Sequence, residues 1–282
     1  MPEAGVEFAG LGFAVSRRMF LKLGLGGFAA GSGLAIAVHP QAANGRSLSD
    51  AALSNAPATP PSPFANGLMS EANAAVPATP DAALAELIEG NRRFVTRRRL
   101  LPHQDTTRLT EVAENQKPFA AILSCADSRV VPEIVFDQGI GDLFVVRVAG
   151  NVATLEDVAS EEYAVGLLHT PLVMVLGHAG CGAVTAALQG GKLPGALDSL
   201  VEAIQPAIAT ADAEIAQLRR EHPDRTMKPG DRLTYAVKAN VRLQTQRLSQ
   251  SPIVSQAVQQ GWVKVVGAYY DLATGVVSIL VD

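Results

Sequence analysis

Phe119-Ala-Ala-Ile-Leu-Ser124 is an apolar run of strand length closed by a serine, and Cys125-Ala-Asp-Ser-Arg129 follows it directly. A strand with one wet face alternates apolar and polar residues. This run does not, so it predicts a strand buried on both faces, as in a parallel sheet. Leu143-Phe-Val-Val-Arg-Val148 and Leu172-Val-Met-Val-Leu176 have the same character. Between them Thr154, with Asp157 three residues on, marks the start of a helix through a reciprocal cap. Asp81 to Arg98 reads as an earlier helix, because Leu84, Leu87, Ile88 and Phe94 recur near helical spacing and arginines gather late. A further helix follows Cys181 and stops at Gly190-Gly191, and the alanine-rich, amphipathic stretch from Leu197 to Leu218 forms another. Val263 to Tyr270, the turn residues Thr274-Gly275, and Val276 to Leu280 read as a hairpin. Strand–helix alternation predicts a single α/β domain, residues 81–282, around a mostly parallel central sheet flanked by helices.

Composition limits what this domain does. Of 282 residues, 48% are hydrophobic and 18% charged, enough apolar material for a packed core and too little charge for a disordered chain. The net charge of −4 carries no basic surplus, which excludes an ordinary nucleic-acid binder. Two cysteines cannot build a disulfide framework. Residues 1–80 contain four acids (Glu3, Glu7, Asp50, Glu71) and four bases (Arg17, Arg18, Lys22, Arg46), so the whole negative charge belongs to 81–282.

Ser16-Arg-Arg-Met-Phe-Leu-Lys22 precedes a mildly apolar run from Leu23 to Val38, which carries five glycines and then gives way to small residues. Such a run is short and glycine-rich for a permanent membrane span. Residues 1–43 resemble a bacterial twin-arginine export signal, which implies recognition by the twin-arginine translocase and delivery of the folded chain to the periplasm. Residues 44–80 are rich in Ala, Pro, Ser and Asn without hydrophobic periodicity, and read as a flexible linker.

Both cysteines stand just past predicted buried strands: Cys125 after the first, and Cys181 in His178-Ala-Gly-Cys-Gly182 after the third. Open parallel sheets gather ligands at those strand ends. Two thiolates and an imidazole suit Zn²⁺ and leave one tetrahedral position open. Gly180 and Gly182 are placed to let the backbone turn so that His178 and Cys181 face one ion. Three other readings of the cysteines stand beside this one: small buried apolar residues, a disulfide, or a redox couple.

Cys-x-Asp-x-Arg, followed some fifty residues later by His-x-x-Cys, resembles the β-class carbonic anhydrases. The likeness runs from Glu86-Leu-Ile-Glu-Gly-Asn-Arg-Arg-Phe94 to the end and includes Phe144-Val-Val-Arg147 and Ala149-Gly-Asn151. The resemblance implies one zinc per chain on Cys125, His178 and Cys181, with Asp127 and Arg129 as a charge-paired dyad beside it. If Arg129 let go, Asp127 would be able to swing in as a fourth metal ligand and displace the water. A zinc-bound water of pKa about 7 would yield the hydroxide that turns carbon dioxide into bicarbonate and a proton. Gln116 and Tyr163 match the glutamine and tyrosine of the always-open subclass. Phe144 matches an apolar wall of the substrate pocket and Gly182 a backbone donor. The family likeness further implies a homodimer or higher even oligomer, with the early helix wrapping the partner and Gln116 serving the neighbour's zinc. Rival activities on this framework are hydrolysis of carbonyl sulfide or carbon disulfide, and a zinc module without catalysis. None of His39, His103, His169 and His222 is assignable from sequence as a proton shuttle.

Overall fold

The apolar run at 119 forms β1 (Ala120–Ser124), and every one of its residues is buried. A computed structural model describes residues 76–281; the expected export signal, 1–43, and the expected linker as far as residue 75 lie outside the described residues. β2 (Leu143–Arg147) and β3 (Leu172–His178) flank β1 in parallel, and β4 (Lys264–Tyr270) lies parallel to β3. β5 (Val277–Val281) turns back antiparallel on β4, giving the order β2-β1-β3-β4-β5. The expected hairpin is therefore present, and its first strand also extends the parallel sheet.

The strands are apolar throughout because each face of the sheet meets a separate core. Ile122, Met174, Leu176 and Val266 pack on one face with Leu87 of α1 (Pro80–Val95) and Phe136. Leu123, Val173 and Val175 pack on the other with Val165 of α4 (Leu155–Gly166), Leu248 of α7 (Asp231–Ser249) and Val254 of α8 (Pro252–Gln259). Two short helices, α2 (Thr106–Val112) and α3 (Pro132–Val135), flank β1 in the chain. α5 (Gly182–Gln189) and α6 (Leu197–Glu221) build a third apolar cluster with α7 around the carboxyl ends of β1 and β3. Among the described residues no helix is long and apolar enough to cross a membrane.

Helix boundaries follow local chemistry. The Thr79 hydroxyl caps α1, whose first residue, Pro80, lies one before the expected start at Asp81. That helix stops at Val95 rather than Arg98, and Arg97 sits at φ 59. The Asp157 carboxylate accepts from the Thr154 N–H (3.0 Å) and hydroxyl (2.6 Å), the start read for α4.

The strand order fixes where a site forms. From β1 the chain crosses to β2 on one side and then returns to lay β3 on the other, so the loops after β1 and β3 diverge. That divergence is a topological switch point, and it opens a crevice at the carboxyl ends of both strands.

One buried group lies outside that crevice. Glu161, on the inner face of α4, is fully buried with neither carboxylate oxygen hydrogen-bonded. Burial, then the like charge of Asp157, push its carboxyl from 4.5 up to about 8. The folded chain therefore keeps a proton that the unfolded chain releases above about pH 4.5. Its contribution to stability is complete below that pH and drains away as pH rises towards 8. Glu161→Gln should be more stable than the parent by a margin that widens from pH 4.5 to 8 and is then constant. Urea unfolding at stepped pH measures it; a margin independent of pH contradicts the assignment.

Candidate metal centre

The register of β1 and β3 pairs Ser124 with Leu176, which brings the residues just beyond, Cys125 and His178, to neighbouring strand ends. After His178 the chain turns at Gly180, whose φ of 63° belongs to the left-handed region that glycine enters without strain. Cys181 then caps α5. Gly182 is ordinary helical backbone, so the turn needs only the first of the two glycines.

The result is a compact donor set. One ligand atom each from Cys125, His178 and Cys181 lies within 4.8 Å of the others, and all three residues are buried. The two sulfurs are 4.0 Å apart. A disulfide needs about 2.05 Å, and both cysteines are free thiols. A tetrahedral ion with Zn–S bonds of about 2.3 Å would separate two sulfurs by about 3.8 Å. The spacing fits a shared ion rather than a bond.

His178 supplies the deciding detail. Its Nδ1 lies 2.9 Å from the Ala179 carbonyl oxygen. A carbonyl only accepts, so Nδ1 carries the hydrogen and Nε2 presents a lone pair. That Nε2 is fully buried and has no hydrogen-bond partner. A lone pair buried without a donor is costly, and a cation between Nε2 and the two sulfurs answers it. The residues present therefore fit Zn²⁺.

Charge around the sulfurs points the same way. The Cys125 thiol is held well below its ordinary range, first by the hydrogen bond from Cys181 and further by the Gly150 N–H, which stands 3.2 Å from Sγ, against the opposing effect of burial. Cys181 is pushed up by its bond to Cys125 and by burial. Without a cation the pair retains a proton; a divalent ion would let both ionise.

Asp127 stands beside the trio, its Oδ2 3.9 Å from His178 Nε2. Arg129 grips it three ways: Nε to Oδ1 (2.9 Å), Nη2 to Oδ2 (2.8 Å), and its own N–H to Oδ1 (3.0 Å). This fork holds the carboxyl far below the usual carboxylate range, against the opposing effect of burial, so Asp127 is ionised and only accepts.

A sequence profile of the family described as carbonic anhydrase matches residues 120–277. Carbonic anhydrase 2 of Mycobacterium tuberculosis is 40% identical over 200 residues, 70% of this chain and 90% of that protein. A carbonic anhydrase of Mycolicibacterium smegmatis is 36% identical over 208 residues, 71% of this chain and 93% of its own. The solved Coccomyxa β-carbonic anhydrase in complex with acetazolamide superposes with a TM-score of 0.55 at 30% identity, covering 71% of this chain and 86% of that one. The chain belongs to the β-class carbonic anhydrases.

For a carbonic anhydrase of this class the remaining expected residues divide in two. Gly182 opens α5 directly after Cys181 and so adjoins the ligands. Phe144 and Tyr163 do come together, with rings stacked at 6.1 Å and 26°. They lie elsewhere, however: Phe144 pairs with Ala121, near the start of β1, whereas Cys125 follows its end. Gln116 is on the exposed loop leading into β1, likewise at the amino end of the sheet. One chain does not unite these three with its own metal ligands.

Two contacts were not read from sequence. Arg147, at the end of β2, donates from Nε to the Cys125 carbonyl (3.2 Å) and from Nη2 to the Asp127 carbonyl (2.8 Å), latching the loop that carries both. An arginine closing an apolar strand was the available signal. The Gly150 N–H on the Cys125 sulfur had none, because a backbone donor leaves no mark in side-chain chemistry.

Proposed function

We propose that this chain catalyses the reversible hydration of carbon dioxide to bicarbonate at a zinc centre formed by Cys125, His178 and Cys181. The observation that carries the reading is the buried, unpartnered His178 Nε2 facing two sulfurs 4.0 Å apart. When bound, zinc supplies a Lewis-acid position that makes a water nucleophilic near neutral pH. Asp127 would accept a hydrogen bond from a water in that position, because an ionised carboxylate can only accept, and would so fix which way the water's lone pair points. Arg129 keeps Asp127 turned away from the ligands. Its guanidinium is more than half exposed, so it is anchored by the fork rather than by packing. The Gly182 N–H, at the positive end of α5, favours the negative charge of bicarbonate.

The apolar wall belongs to a second copy of the chain. Support comes from Gln116, Phe144 and the half-exposed Tyr163, which lie at the other end of the sheet from their own chain's ligands. The chain thus acts as a homodimer or a multiple of dimers.

Residues 1–43 address the folded, zinc-loaded chain to the twin-arginine translocase and the periplasm, and 44–80 tether the domain. Ser16-Arg-Arg-Met-Phe-Leu-Lys22 supports this. So does the Mycobacterium tuberculosis match, which uses 90% of that relative but only 70% of this chain.

Three outcomes test these readings. In stopped-flow hydration of carbon dioxide, Asp127→Asn should retain zinc yet lose at least about 10²-fold in kcat/KM, the scale of a lost proton-handling group; full activity would refute the role of Asp127. Cys181→Ser chains, unable to keep zinc, mixed with zinc-bearing Tyr163→Ala chains should regain activity through hybrid dimers; no gain places the wall within one chain. Changing Arg17 and Arg18 to lysine should strand zinc-loaded protein in the cytoplasm, whereas undiminished periplasmic protein rules out the export route.

A further inference from the structure

α7 carries two fully buried amides, Asn240 and Gln244, one helical turn apart on the face turned to the sheet. Neither is hydrogen-bonded to a metal ligand. Each nonetheless has its hydrogen bonds met, and the bonds run in one direction. The Arg247 guanidinium and the Ala153 N–H donate to Gln244 Oε1 (3.1 and 3.0 Å). Gln244 Nε2 donates to Asn240 Oδ1 (2.9 Å). Asn240 Nδ2 donates to the Gly150 carbonyl (2.8 Å). The Gly150 N–H donates to Cys125 Sγ (3.2 Å).

Both amide orientations are dictated by backbone chemistry. The Ala153 N–H can only donate, so Gln244 must present its oxygen there and its nitrogen to Asn240. The Gly150 carbonyl can only accept, so Asn240 must present its nitrogen to it. The polarity is fixed at both ends, with a cation at the start and a sulfur at the finish. Successive donors from Arg247 through Gln244 and Asn240 to the Gly150 carbonyl polarise one another.

Gly150 is the joint at which this series meets the sulfur. It sits at φ 77, ψ 12. A Cβ there would come within 2.7 Å of Ile204 Cδ1 and 3.1 Å of Ala183 Cβ, and the positive φ strains any residue with a side chain, so both crowding and backbone favour glycine. The Gly150 carbonyl and N–H lie on adjacent peptide planes hinged at its Cα, so Asn240 holds the plane next to the one that carries the N–H and limits how far that N–H can swing off the sulfur.

We propose that Asn240 and Gln244 are positioning residues, which set the Gly150 N–H on the Cys125 sulfur and thereby tune that sulfur as a metal ligand. The proposal rests on the zinc centre argued above. Groups placed one step behind a ligand commonly govern affinity by 10- to 100-fold.

The test uses the full chain loaded with cobalt(II) or zinc. In the parent, cobalt(II) should give a near-ultraviolet sulfur-to-cobalt charge-transfer band; its absence would overturn the metal centre itself, and this proposal with it. Given that band, Asn240→Leu should shift it and lower zinc affinity, measured by chelator competition, by about 10- to 100-fold. Gln244→Met, which leaves Asn240 in place but unclamped, should shift both in the same direction by less. Leu248→Ala, a buried truncation on the same helix outside the series, should lower the melting temperature of the metal-free chain without moving band or affinity. The proposal is overturned if the Asn240 and Gln244 variants keep the parent band and affinity. It is equally overturned if Leu248→Ala reproduces their changes at equal loss of melting temperature.

Discussion

Two buried sulfurs facing an imidazole nitrogen that no hydrogen bond satisfies form an arrangement that a protein interior does not favour without a cation. Each donor would be costly alone. Together they make a pocket of electron pairs, and much of the surrounding structure maintains it. The Ala179 carbonyl fixes the imidazole tautomer. Arg147 ties down the loop carrying Cys125 and Asp127. The Gly150 N–H touches one sulfur, and Arg129 restrains the only carboxylate within reach of Nε2 among the described ion pairs. The parallel sheet serves this centre by delivering two loops to one crevice from neighbouring strands.

The elements that hold the two cores apart were legible because their signals are local. β1 and β3 read as buried strands from unbroken apolar runs. α4 read as a helix from Thr154 and Asp157, and the end of α5 from Gly190. α7 was not legible, and its inner face explains why. The residues it buries include Asn240, Gln244 and Thr245 among Ala236, Val237, Val241 and Leu248, so the apolar stripe that announces an amphipathic helix is interrupted where the site needs polar groups. A helix whose buried face is committed to hydrogen bonding loses the periodicity by which it would be found.

The site divides in the same way. Cys125, His178, Cys181, Asp127 and Arg129 carry their chemistry in their side chains, and the structure brings together the three metal donors and, beside them, the ion pair that the family resemblance implies. Gln116, Phe144 and Tyr163 fit the family pattern equally well in sequence, yet they sit at the far end of the sheet. Sequence order does not tell whether two segments meet within a chain or between copies. The backbone donors were the least legible, since Gly150 declares only that it lacks a Cβ.

The central claim is that one divalent ion is gripped by two sulfurs and one ring nitrogen with a single position left to solvent. X-ray absorption at the zinc edge on the purified full-length chain measures this directly. The account predicts one zinc per chain with two sulfur neighbours at about 2.3 Å and two lighter neighbours at about 2.0 to 2.1 Å, one showing the multiple scattering of a single imidazole. A shell of other composition, or a chain that retains no zinc, would contradict it.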